Sequence, residues 1–390
     1  MRVSVIHFEY TKAFFGAEKL MYLYCQGLKA LGHDVRLISL IYPFEKRVDR
    51  EEQFRVETIP TCIPYFKNLY LLNTVNNLLT KHLLSRMFKK NETIIFTDAV
   101  YALPFLQDGH YAENVVVPVY WVGEHPWLGI FAKTVGWKRM KLILDKSKAL
   151  TAISKAVMGR LLNIYGVPPC KVFLIPEVVD TKRYSPQKRS EILRNMLLND
   201  NDEVAIMATP HSRHDSVLLP KIMRALKEKV KDPYKFILTG KMSSNELKSL
   251  INYAKRHDIY SNLIITGYIS EKTLPTFYAS CDVFLNVGFN RGMTVLEAMA
   301  SGLPIVSLDS KVSPEWITHG TNGFIVGKRK DKIGTFEDRR DEIAEFLRIL
   351  VEDSKLREKM SFQSRQIART KFDYRIIAKK LEKVFFHVLS

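Results

Sequence analysis

The sequence predicts an α/β protein made of two doubly wound parallel-sheet units, one after the other. Three observations carry this expectation. Apolar runs of strand length alternate with amphipathic helical patterns along the chain. The alternation pauses once, at the polar, proline-bearing stretch PEVVDTKRYSPQKRS, residues 176–190. Finally, 390 residues are too many for one ordinary compact core.

The elements follow in order. VSVIHF reads as a first buried strand, since MRVSVIHFEY lacks the long apolar core and small-residue cleavage site of a signal peptide. AEKLMYLYCQGLKALG has helical spacing, and DVRLISLI returns to a continuous apolar strand, as expected when helices cover both faces of a parallel sheet. TIIFT, NVVVPVYWV, KALTAIS and KVFLIP continue the first unit. After the linker the pattern restarts with EVAIMAT, a long basic helix, KFILTG, a second helix, LIITGYI and DVFLNV. Sheets of this kind bind ligands beyond the carboxyl ends of their strands. That rule marks FFGAE (14–18), TPHSRHD (209–215), TGK (239–241), TGY (266–268) and GFNRGMT (288–294) as lining, and two facing units would form a cleft.

Composition narrows the function. The formal charge is +18, with 25 basic against 16 acidic residues in 1–185 and 34 against 25 afterwards, so each half carries +9. So even a spread points away from a nucleic-acid module and toward anionic small ligands or a membrane surface. Cys25, Cys62, Cys170 and Cys281 lie far apart with no metal-ligand spacing, which suits a reducing, cytoplasmic compartment and no structural zinc. No apolar run approaches the roughly 20 residues that cross a bilayer.

Two features concern ligands directly. Glu297 stands alone among Val295, Leu296, Ala298, Met299 and Ala300. A carboxylate in apolar surroundings is costly without hydrogen bonds, so either a neighbouring Arg or Lys satisfies it or it meets a ligand. If the helix opens near Gly292, the amides of Gly292, Met293, Thr294 and Val295 form an anion site, and Glu297, about one turn further in, can accept two hydrogen bonds from a ribose diol. Separately, residues 66–90 carry five basic residues and no acid, with Leu72, Val75, Leu79 and Leu83 in one stripe, and residues 127–148 place Trp127, Phe131 and Trp137 among lysines and Arg139. Such a pattern either seats a protein on anionic lipid or packs into the first unit with solvated lysines.

Longer motifs resemble a known family. FFGAEKLMYLYCQGLKALGHDVRLIS resembles the opening of the family 4 retaining glycosyltransferases, LTAISKAV and VFLIPEVVDTKRYSP their interdomain passage, GMTVLEAMASGLPIVSLDSKVSPEWITHGTNGFIV their nucleotide-binding signature, and KFDYRIIAKKLEKVFF their final crossover helix. The resemblance implies a GT-B fold. Its domains would be residues 1–182, on the acceptor side, and 183–371, which binds the nucleotide-sugar, with helix 372–390 packing back on the first. It implies metal-independent transfer of a sugar, with retention, from a UDP- or GDP-linked donor. Glu297 would hold the ribose, Gly16 would admit a close backbone approach, and Tyr268 would border the base.

Departures from the family pattern are equally specific. Phe289 stands eight residues before Glu297, where the family has the acid that contacts the transferred sugar. This substitution hints at a deoxy or N-acetylated sugar. The phosphate clamp is reduced to Arg213, which can still grip phosphate bidentately, and Lys241 is either a second cation or merely solvated. In VYWVGEHPW, Gly123 occupies the family's histidine place; Glu124 remains, and His125 either touches substrate or is a turn residue. The expected function is a retaining hexosyltransferase acting on a glycan or lipid-linked acceptor, peripheral at the inner face of a membrane. The alternative is a catalytically weakened relative serving as a binding or scaffolding subunit.

Overall fold

The computed structural model describes residues 1–8, 16–41, 53–60, 79, 81–88, 92–96, 102, 105–106, 114–120, 141–199, 203–210, 213–288, 292–310, 312–327 and 336–389. Within them the chain divides into two units, Met1–Val178 with Tyr374–Ser390, and Val179–Asp373.

The first unit carries β1 (Arg2–Phe8), β2 (Asp34–Ile41), β3 (Arg55–Pro60), β4 (Thr93–Phe96), β5 (Val115–Val119), β6 (Ala149–Ala152) and β7 (Val172–Leu174), in the order β3-β2-β1-β4-β5-β6-β7. Every pair is parallel; Val3 on β1 faces Val35 on β2 and Thr93 on β4. All residues of β5 and β6 are buried, as the continuous apolar runs require when both faces are covered. Helix α1 (Gly16–Ala30) leads from β1 to β2, and α2 (Lys155–Asn163) starts from Ser154, whose hydroxyl accepts the Val157 amide.

The second unit holds β8 (Val204–Ala208), β9 (Tyr234–Thr239), β10 (Leu263–Gly267), β11 (Val283–Asn286), β12 (Ile305–Leu308) and β13 (Gly323–Val326), in the order β10-β9-β8-β11-β12-β13. Its helices are α3 (Glu191–Leu197), α4 (Arg213–Lys227), α5 (Ser244–Arg256), α6 (Leu274–Ala279), α7 (Gly292–Ala300), α8 (Ser313–Trp316), α9 (Phe336–Glu352) and α10 (Ser354–Ile367); α11 (Tyr374–Leu389) belongs to the first unit. β8 divides its side chains between two cores. Val204, Ile206 and Ala208 join one apolar cluster, while Ala205 and Met207 join the other, which also contains Val295, Leu296 and Ala298.

Both sheets are of the doubly wound kind that the alternation predicts. Three strands, β3, β12 and β13, are absent from that reading. β3 is an edge strand whose sequence RVETIP mixes charge with apolar residues and ends in proline, and β12 and β13 lie within the stretch 292–326 that the sequence reading takes as one nucleotide-binding signature. Where the chain passes between units, Val179 pairs with Asp373, and the Thr181 hydroxyl donates to the Asp373 carboxylate.

Candidate functional site

Strand order in the second unit reverses between β8 and β11, which lie side by side in parallel. At such a switch point the two following connections diverge and leave a crevice at the carboxyl edge. Here β8 feeds α4 and β11 feeds α7, so two helix N-termini, with their positive dipole ends, open from neighbouring strands at that edge. The arrangement suits an extended anion.

The adjoining strands supply an aromatic surface. After β9 and β10 the loops are tied together by the Gly240 amide, which donates to the Gly267 carbonyl at 2.8 Å. Lys241 places its Nζ 5.8 Å from the centre of the Tyr268 ring, and that ring is 60% exposed. A solvent-facing phenol beside a cation can accept a flat polar ring by stacking.

Glu297 lies six residues into α7 and is 2% exposed. Gly292, Met293 and Val295 are buried beside it, and Thr294 is half-buried. Tyr184 and Tyr278, both buried, lie close enough to it for its charge to act on their phenols. Burial pushes both phenols well above their ordinary pKa, and the charge of Glu297 raises them further. Nearby, at the ends of β11 and β12, the Asn286 side-chain amide donates to the Ser307 hydroxyl at 3.0 Å.

Of the residues singled out in the sequence, Gly292, Met293, Thr294, Val295 and Glu297 share α7, Arg213 is the first residue of α4, and Lys241 and Tyr268 follow β9 and β10. All lie on one edge of one sheet or on the helices leaving it. Gly16 belongs to the other unit, where it opens α1, exposed and with open space at its Cβ position. Beside it His7 approaches Glu18 at 3.5 Å. Glu124, His125 and Phe289 lie outside the described residues. Tyr184 and Tyr278 were not singled out, because no local pattern links them to an acid more than 100 residues from one of them. Among the described residues no three His, Cys, Asp or Glu side chains are grouped to hold a metal ion.

Residues 15–183 match the family described as Glycosyltransferase Family 4, and residues 191–367 match Glycosyl transferases group 1. Between them the two matches take in most of the chain, one per unit. The chain belongs to the family 4 glycosyltransferases. A relative in Mycobacterium tuberculosis, a GDP-mannose-dependent alpha-(1-6)-phosphatidylinositol monomannoside mannosyltransferase, is 25% identical over 236 residues, 55% of this chain. The match spans only 58% of that relative's length. The alpha-monoglucosyldiacylglycerol synthase of Acholeplasma laidlawii is 22% identical over 85% of this chain and 86% of its own. Among solved structures, Anabaena Alr3699/HepE in complex with UDP and glucose superposes with a TM-score of 0.72 at 15% identity, over 99% of both chains. At that identity the likeness is one of fold. This family 4 glycosyltransferase therefore has the GT-B architecture of two Rossmann-like domains, and its switch-point edge belongs to the domain matched by the group 1 description.

Proposed function

We propose that the chain is a retaining, metal-independent hexosyltransferase that moves a sugar from a UDP- or GDP-linked donor to a glycan or lipid-linked acceptor. The observation that carries this reading is the pair of helix N-termini at the β8/β11 switch point, with Glu297 inside α7. Gly292 and Glu297 are five positions apart, roughly 7 Å of helix axis, a span that a nucleoside diphosphate covers between its ribose diol and its outer phosphate. In this reading the amides of Gly292 to Val295 receive the diphosphate, Arg213 and Lys241 add cations, Glu297 takes the diol and Tyr268 borders the base. On the acceptor side the reading assigns Glu124, His125 and the close approach at Gly16.

The chemistry then follows. The acceptor oxygen forms its bond to the anomeric carbon on the face from which the diphosphate departs. The carbon–oxygen bond to phosphate breaks, and the leaving phosphate oxygen takes the acceptor proton. Charge accumulates on the diphosphate, so electrostatic groups aimed at it supply most of the acceleration; losing one such donor costs on the order of a hundredfold in rate. Helix amides and guanidinium groups can do this work, which supports transfer without a metal.

Two observations support a membrane-borne acceptor. Leu79 and Leu83, of the apolar stripe within the basic segment 66–90, are 42% and 37% exposed, and the chain carries a net +18. Among the described residues no helix is long and apolar enough to cross a membrane. The relatives named for phosphatidylinositol and diacylglycerol substrates favour a glycerolipid acceptor, and the GDP-mannose relative makes GDP-mannose the first donor to try. The test is a panel of GDP- and UDP-sugars, read by heat stabilisation and by slow donor hydrolysis, followed by transfer to lipid acceptors with analysis of the anomeric product. One donor is expected to stabilise the protein and turn over with retention in the presence of EDTA. Stabilisation without turnover on any acceptor would point instead to a binding subunit.

A further inference from the structure

Beside the first turn of α7 lie two polar side chains that the nucleotide reading leaves unused. Alternation along β11 sends Phe284 to the face covered by α7, where it shares an apolar cluster with Val295, Leu296 and Ala298, and Leu285 to the opposite cluster. Asn286, the last residue of β11, therefore returns to the α7 face. Its register partner on β12 is Ser307, two residues beyond Ile305, which belongs to the same cluster as Phe284. Because α7 starts from the carboxyl edge and packs back along the sheet, its opening turn and these two side chains occupy one edge of one face. Asn286 is 4% exposed and Ser307 is fully buried.

Hydrogen bonds fix which way the Asn286 amide points. The Ser307 hydroxyl donates to the Leu308 carbonyl at 2.9 Å, and the buried Ser313 hydroxyl donates to the same carbonyl at 2.9 Å. With its one proton committed, Ser307 can only accept from Asn286, whose Nδ2 donates to it at 3.0 Å. The planar amide then turns Oδ1 away from Ser307. Among the described residues no donor meets that oxygen. A buried acceptor without a donor is costly, so something outside the chain is needed to complete it.

We propose that Asn286 reads the transferred sugar by accepting a hydrogen bond from one of its hydroxyls, with Ser307 as the positioning residue that holds its amide. The proposal rests on the nucleotide-sugar reading above. The opening turn of α7 offers amide donors, which suit phosphate oxygens, whereas an acceptor beside them suits a hydroxyl. The diphosphate of a nucleotide sugar carries only acceptors there, and in that reading Glu297 takes the ribose diol about one turn further in. The remaining hydroxyls belong to the sugar. Asn286 thus discriminates between donor sugars and leaves the affinity for the free nucleoside diphosphate unchanged.

The test is calorimetry on the intact protein with GDP, GDP-mannose, UDP and UDP-glucose, comparing wild type, Asn286→Leu and Ser307→Ala. It reads the ratio of two dissociation constants, nucleotide sugar over free diphosphate, for the base that binds. Asn286→Leu keeps the size of the side chain and should raise this ratio about tenfold, the weight of one buried hydrogen bond, with the free diphosphate within about twofold of wild type. Ser307→Ala releases the amide to turn and should raise the ratio by a smaller factor. Removing hydroxyls from the sugar one at a time should weaken wild-type binding at one position, and that loss should vanish in Asn286→Leu. Unchanged ratios in both variants would overturn the proposal and leave the nucleotide reading standing. Equal losses for nucleotide sugar and free diphosphate would overturn it too, because they mark a structural role. If Asn286→Leu does not fold, Ser307→Ala decides alone. A wild-type protein that binds neither GDP nor UDP sinks the nucleotide reading and the proposal with it.

Discussion

Gly323 passes Ile305 so closely that a methyl group on its α-carbon would sit 2.0 Å from the Ile305 carbonyl oxygen. Gly323 begins β13 and pairs with Ile305 of β12, and its φ of 156° lies at the edge of the region that favours glycine. Backbone, not a movable side chain, blocks the space. Gly323→Ala is therefore expected to destabilise the second unit by about 2–4 kcal/mol through overpacking and strain. Urea unfolding followed by the fluorescence of Trp316, which lies in the same unit, would read this; an unchanged midpoint would contradict it.

A similar crowding joins α1 and α11. A Cβ on Gly27 would lie 2.6 Å from the Ala378 Cβ and 3.0 Å from the Tyr374 carbonyl oxygen. Alanine at position 27 gains about 1 kcal/mol of helix propensity but loses about 1–3 kcal/mol to overpacking, so the second effect should win. Gly27→Ala should lower the melting temperature of the protein, and adding Ala378→Gly should recover part of the loss. Absence of any recovery would show that the cost lies elsewhere.

Arg365 satisfies three carbonyls with one side chain. Replacing it by methionine keeps much of the apolar stem and leaves those acceptors without their donor. Each unsatisfied acceptor costs about 1–3 kcal/mol, with water repairing some of it, so a net loss of about 2–4 kcal/mol is expected. Chemical denaturation of Arg365→Met against wild type measures it.

Tyr268 should contribute to nucleotide affinity through its exposed ring and its contact with Lys241. Stacking of this kind is worth about 1–3 kcal/mol by alanine substitution. Tyr268→Ala is expected to raise the dissociation constant of the preferred nucleoside diphosphate about tenfold, with Tyr268→Phe near wild type. Equal binding by the alanine variant would remove the ring from the site.

Alkaline pH should reveal the buried phenols. Of the 17 tyrosines, Tyr24, Tyr184, Tyr234 and Tyr278 are held protonated, above all by burial. Because their folded values exceed the unfolded value near 10, the unfolded chain releases more protons above that pH. The stability they contribute is complete below pH 10 and is lost as pH rises toward the folded values. Absorbance near 295 nm should show the exposed tyrosines ionising first and a later step coincident with unfolding. A single step before unfolding would contradict the burial.

Much of the fold is legible in one dimension. VSVIHF, EVAIMAT and DVFLNV announce β1, β8 and β11 because strands covered on both faces must be apolar throughout. β3 is harder to read because an edge strand pairs on one side only and tolerates Arg55, Glu57 and Pro60. The isolation of Glu297 in an apolar helix is equally local and visible. What answers that isolation is not.

By itself the sequence determined the α/β class, the two successive doubly wound units and the presence of a lone acid behind a glycine-led helix, since periodicity and burial act over a few neighbouring residues. Only the tertiary structure decided that β8 and β11 lie side by side, that α4 and α7 open from that pair, and that the rings of Tyr184 and Tyr278 meet edge to face from segments far apart in the chain. Strand order and hydrogen bonds between remote residues depend on how whole elements pack, and no short window of sequence carries that information.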